Sequence, residues 1–108
     1  RVATLIDNLP RRNCWVFSSG TSQSGHLDQP KKALQALSVE IGSALTIHGL
    51  RRSFRTLSEW QAVPVGVVAQ IMGHKPSAIA EKHYTVRPLD LLRLHHEQIE
   101  QWLLNETG

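Results

Sequence analysis

His48-Gly49-Leu50-Arg51-Arg52-Ser53-Phe54, followed by Met72-Gly73-His74 and then Tyr84, the single tyrosine, is the stretch whose reading decides this chain. Thr46 is a good N-cap, and the apolar spacing beyond it predicts a helix from about Thr46 to Gln61. At ~100° per residue, Leu50, Phe54 and Leu57 cluster within roughly 60° of one another. His48, Arg52 and Arg55 lie on the other side. Arg51 falls at the border, where a packed stem can hold its charged head in a cleft. Pro64 opens a further helix, Val65 to Met72, closed by Gly73, so that His74 leaves a helix end on a tight turn. A short helical segment after Pro76 carries the chain to Tyr84, and Pro88 ends it.

Together these side chains have what metal-free attack on a phosphodiester requires. Negative charge building on pentacoordinate phosphorus must be neutralised, a nucleophile must lose its proton, and the leaving 5′ oxygen must gain one. Arg51 suits the first task, because a guanidinium grips phosphate oxygens in a planar fork and stays charged. His48, one helical turn earlier, can assist deprotonation or bind phosphate. His74 can donate to the same phosphate from another element. Tyr84 can act as a covalent nucleophile. Taken singly, each residue has a plainer reading: a packing tyrosine, a surface ion-pair arginine, a helix-start histidine, a turn histidine.

Working outward, Val2, Leu5, Ile6 and Leu9 have helical spacing that Pro10 stops. Cys14 to Phe17 is a short β-favouring run before the turn-rich Ser18-Ser19-Gly20, and residues 18–30 read as an exposed loop. A helix is expected from about Pro30 to Ile41, with Asp28 or Gln29 ahead of the proline. Leu34, Leu37 and Ile41 form its stripe and Gly42 its stop. From Leu89 to Leu104 a last helix places Leu91, Leu92, Ile99, Trp102 and Leu103 in a stripe about 120° wide. His95 falls in that stripe and reads as a satisfied core histidine. The expected fold is mainly α, a helical bundle with a short β element near the N-terminus.

Composition narrows the class. Of the 108 residues 41% are hydrophobic and 19% charged, which fits a globular core and argues against disorder. No apolar run approaches a membrane span and no signal-peptide pattern opens the chain. Cys14 is the only cysteine, so an internal disulfide is excluded; a half-buried thiol beside Trp15 is expected. The net charge of +3 is modest. Its distribution says more: Arg11-Arg12, Lys31-Lys32 and Arg51-Arg52 with Arg55 form three basic clusters, which lean towards a polyanion partner. Despite six histidines, no zinc-motif spacing occurs, and adjacent His95-His96 point about 100° apart on a helix, so no metal site and no cofactor are expected.

The ordered set His48-x-x-Arg51, Met72-Gly73-His74 and Tyr84 resembles the C-terminal half of the catalytic domain of tyrosine recombinases, specifically phage-type integrases. Residues 46–104 carry the likeness strongly, including Gly73 to Leu92, with Met72 standing where the family has leucine; residues 1–45 fit loosely. The resemblance implies site-specific DNA integration and excision, with His48, Arg51 and His74 around the phosphate and Tyr84 forming a 3′-phosphotyrosine. Arg52 and Arg55 are surface ion-pair partners or contacts to the DNA backbone, and with Lys75 they make up the candidate DNA-binding residues. The implied partners are double-stranded attachment sites and other copies of the protein, in a tetramer on DNA held through the helix 89–104. The implied setting is the bacterial cytoplasm, nucleoid-associated when bound.

The family also uses an earlier arginine and a hairpin lysine, and neither has a match here. Residues 1–108 are therefore expected to be one part of a catalytic domain, inactive or poorly active alone, from a parent able to be fully active. Three other readings remain: a type IB topoisomerase, an inactive recombinase relic, and a non-enzymatic helix-turn-helix regulator using helices 46–61 and 64–72. The last would need polar residues at the start of its second helix, where Val65-Gly66-Val67-Val68 stand.

Overall fold

Capping, proline and glycine chemistry set several of the helix boundaries. The computed structural model describes residues 1–75 and 85–107 and forms them into helices α1 (Val2–Asp7), α2 (Lys31–Ile41), α3 (Ile47–Trp60), α4 (Val65–Ile71) and α5 (Leu89–Thr107). The chain divides into two units, Arg1–Leu45 and Thr46–Gly108. The mainly helical expectation holds. The segment expected between Pro76 and Tyr84 lies outside the described residues.

In the first unit, α2 starts at Pro30, not on a side-chain cap from Asp28 or Gln29, and stops where Gly42 turns left-handed at φ 71°. The β element is not formed as a strand. The run Cys14–Phe17 has no partner strand among the described residues, and pairing is what makes a strand. What remains is a closed loop. Leu27 N–H donates to the Phe17 carbonyl at 2.8 Å and Ser19 N–H to the Gly25 carbonyl at 2.9 Å, around one antiparallel bridge between Ser18 and His26. Asn13 Nδ2 braces it on the Gly25 carbonyl at 2.8 Å, and Trp15 meets His26 edge-on. No described residue of this unit is buried. Cys14 is consequently exposed and not half-buried, and Leu37 and Ile41 of the expected stripe are exposed at 46% and 61%.

The second unit has a real, if small, core. Val63, Val67, Val68 and Ile99 are buried, with Phe54, Ile71, Met72 and Leu92 against them. Thr46 Oγ1 accepts from Gly49 N–H at 2.9 Å, so α3 begins on the cap its sequence supplies. The α3–α4 turn is made by Ala62 at φ 52°, a left-handed conformation that costs a non-glycine residue free energy. Ser58, fully buried, is satisfied by donating to the Phe54 carbonyl at 2.7 Å. α5 lies across the pair: Ile99 inserts into the valine cluster, Trp102 meets Trp60 edge-on, and Gln98 Nε2 donates to the Gln61 carbonyl at 3.0 Å. His95 departs from expectation, because its buried Nδ1 finds no hydrogen-bond partner among the described residues. No described helix is long and apolar enough to cross a membrane.

Candidate active site

His74 owes its place to the way α4 ends. Gly73 adopts φ 71°, His74 N–H donates back to the Ala69 carbonyl at 2.9 Å, and Gly73 N–H donates to the Gln70 carbonyl at 3.1 Å. This pair of reverse hydrogen bonds around a left-handed glycine is a Schellman motif. It spends two of the carbonyls that a helix end leaves open and turns His74 off the helix axis. The Met72 carbonyl is left over.

Arg51 of α3 takes it. Its Nη2 donates to the Met72 carbonyl at 2.8 Å and also lies 3.2 Å from His74 Nε2. A guanidinium has five N–H donors and no acceptor, so the imidazole must accept, which assigns its proton to Nδ1. Both hydrogens of Nη2 are thereby engaged, while Nε and Nη1, with three donors between them, make no hydrogen bond to another described residue. The positive head at the C-terminal end of α4 also complements the helix dipole. Arg51 and His74, 23 residues apart, are thus brought together on an exposed surface. The border position of Arg51 on α3 has this consequence: its stem leaves beside the apolar stripe and its head reaches the next helix.

The other candidates are placed less tightly. His48 is exposed one turn before Arg51, and its ring makes no hydrogen bond to another described residue. Arg52, Arg55 and Lys75 are exposed, as contacts to a polyanion require. Arg55 and His74 line a cleft of about 150 Å³ together with Glu59, Val68, Ala69 and Met72. Tyr84 lies outside the described residues. Among the described residues, no three His, Cys, Asp or Glu side chains gather as a metal site would need. One residue escaped the sequence reading: Gln70, whose carboxamide holds the backbone on either side of Val86. It is the sole polar side chain in Val65–Ile71, and that was the available signal.

A helical unit closes a Gly-His turn onto an arginine from the preceding helix, in the order of the motif quoted above, and sequence similarity points the same way, supporting the phage integrase, or tyrosine recombinase, family. The similarity is to Prophage integrase IntF of Escherichia coli (strain K12), 60% identical over 95 residues, which cover 87% of this chain. The chain spans about a fifth (20%) of the length of that curated relative. No family profile matches the chain, and no solved structure does.

Proposed function

We propose that this chain is the C-terminal part of the catalytic domain of a site-specific DNA recombinase that integrates or excises a prophage or genomic island. The observation that carries the reading is the junction of Arg51 and His74 at 3.2 Å from two different elements. In the reaction, the Tyr84 phenolate oxygen attacks a backbone phosphorus, the P–O5′ bond breaks, and the 5′ oxygen leaves as a hydroxyl after gaining a proton. The product is a 3′-phosphotyrosine. Attack by a 5′-hydroxyl of another strand reverses the step, so the bond energy is kept and no ATP is consumed. Arg51 contributes its Nε and Nη1 donors to the phosphate oxygens, where charge builds in the transition state. His74 donates to the same phosphate from Nδ1, the nitrogen that does not accept from Arg51. His48, on the same helix as Arg51, assists proton removal from Tyr84. Arg52, Arg55 and Lys75 hold neighbouring phosphates.

Two features speak against the regulator reading. Val67 and Val68 are buried, so α4 has no polar surface at its start to read bases. The similarity is to an integrase. The protein would work on double-stranded attachment sites in the bacterial cytoplasm, as a tetramer joined through α5, whose Leu89 and Leu94 are 82% and 63% exposed.

The test uses the gene product that contains these residues, at its natural length, with nicked duplexes covering its candidate attachment site. A covalent protein–DNA adduct on a denaturing gel that disappears in Tyr84→Phe is the expected result. Replacing Arg52, Arg55 or Lys75 by alanine should weaken binding and lower the salt slope by about one each, leaving sequence preference intact. No adduct, despite salt-sensitive binding, would overturn the reading in favour of a DNA-binding relic.

A further inference from the structure

Gln70 is half-buried in the last turn of α4, and neither the core nor the chemistry above uses its side chain. Both ends of its carboxamide are engaged across 15 to 17 residues of chain: Nε2 donates to the Thr85 carbonyl at 2.6 Å and Oε1 accepts from the Arg87 N–H at 3.1 Å. One acceptor and one donor flanking Val86 are what a parallel strand would offer a neighbour. The side chain thus stands in for a strand that is not there. A second contact reinforces it. A Cβ built on Gly66 would fall 2.9 Å from both Nη1 and Nη2 of Arg87, so the guanidinium rests on the helix where a larger residue would lift it. Gly66 and Gln70, four residues apart, share one face of α4. That face is a seat for the segment 85–87.

The same helix carries His74 on its C-terminal turn. Thr85 is the residue after Tyr84, so the tethered carbonyl lies one residue, about 3.8 Å from Cα to Cα, beyond the tyrosine. We propose that Gln70 is a positioning residue for Tyr84: its two hydrogen bonds tie the backbone leaving the tyrosine to the helix that holds His74 and, through the Met72 carbonyl, Arg51. This rests on the reading of Tyr84 as nucleophile. The requirement is physical. In-line attack tolerates little error, and a misplacement of about 1 Å costs on the order of a hundredfold in rate. Thr85 and Val86 are exposed, so packing does little to hold this segment. A bifunctional carboxamide supplies what the core does not.

The experiment compares wild type, Gln70→Ala, Gln70→Glu and Tyr84→Phe in the natural-length protein. Single-turnover cleavage of a nicked duplex, affinity for the same duplex and hydrogen exchange at the Arg87 amide are all measured. Gln70→Ala should cleave roughly 10- to 100-fold more slowly at saturating protein. Its DNA affinity should stay within about twofold, and the Arg87 amide should lose protection while the α4 amides keep theirs. Gln70→Glu keeps the acceptor for Arg87 and loses the donor to Thr85, so its rate should fall between the two. A wild-type cleavage rate in Gln70→Ala, or a rate loss matched by equal loss of affinity or by unfolding, overturns the positioning role. If wild type forms no adduct, the recombinase reading fails and the positioning role falls with it. An active wild type beside an equally active Gln70→Ala removes the positioning role alone.

Discussion

Arg51 and His74 should be thermodynamically coupled in the protein without DNA, and a double-mutant cycle on stability measures it. Arg51 makes two hydrogen bonds from one nitrogen: a short one to the Met72 carbonyl at 2.8 Å and a longer one to a neutral imidazole at 3.2 Å. Hydrogen bonds involving a charged group contribute about 1.5–3 kcal/mol where desolvated, and both residues here are exposed, so the short bond is taken at about 1 kcal/mol. The longer one is taken at about 0.5 kcal/mol, the low end for a hydrogen bond. Arg51→Ala then costs about 1.5 kcal/mol and His74→Ala about 0.5. Because both single variants lose the shared bond, the double variant should cost about 1.5 and not 2.0, a coupling of about 0.5 kcal/mol. At roughly 4–8 °C per kcal/mol for a small domain, Arg51→Ala lowers Tm by about 6–12 °C. Urea titrations of the four proteins, compared at constant m-value, provide the assay. Strict additivity, or Arg51→Ala melting with wild type, would refute the junction as drawn.

Two further changes probe the frame behind the site. Ile99→Ala removes the α5 side chain that closes the valine cluster, only 2% exposed, and should cost about 2–5 kcal/mol by urea unfolding; a cost below about 1 would mean that α5 does not seat there. Ala62→Gly relieves a left-handed residue at φ 52° and should stabilise by up to about 1 kcal/mol in the same assay, after the flexibility gained by the unfolded chain is subtracted. A destabilised Ala62→Gly would place the turn in another conformation.

What was legible in the sequence is what local chemistry decides. The Thr46 cap, Gly42 and Gly73 as helix stops, and Pro64 ahead of α4 each act within a few residues, and each stands where the reading put it. The errors lie where a partner far along the chain was needed. Cys14–Phe17 has β-favouring side chains but no partner strand among the described residues, only the single bridge beside it between Ser18 and His26. Cys14 was expected half-buried, yet its unit buries nothing among the described residues. For His95 a partner was assumed and its Nδ1 has none among the described residues. The motif named Arg51 and His74, but not the Met72 carbonyl that fixes the arginine, because a backbone atom leaves no trace in residue identity. Gln70 could have been noticed as the polar residue in an apolar helix. Its partners could not, since they too are backbone groups, 15 and 17 residues downstream.

That dependence on backbone acceptors bears on how the site stays aligned. Four side chains make up the buried core, and Arg51, His74 and Thr85 are all exposed. Close packing, the usual means of locking a rotamer, is therefore scarce where the chemistry is proposed. Directional bonds take its place: Gly73 folds back to orient His74, Nη2 of Arg51 grips the Met72 carbonyl, and Gln70 grips Thr85 and Arg87. All three converge on α4. Arg51 can also hold this geometry and receive a phosphate at once, because the donors that brace α4 are on Nη2 and those on Nε and Nη1 are not spent on any described residue. A site braced in this way is organised before substrate arrives, which is the condition under which fixed dipoles stabilise a transition state without reorganising. It follows that trimming methyl groups from Val67 or Val68 should act on the site mainly through overall stability. Changes at Gly73 or Gln70, neither of which touches the phosphate, should act on cleavage well beyond what stability accounts for, and that contrast separates alignment by hydrogen bonds from alignment by packing.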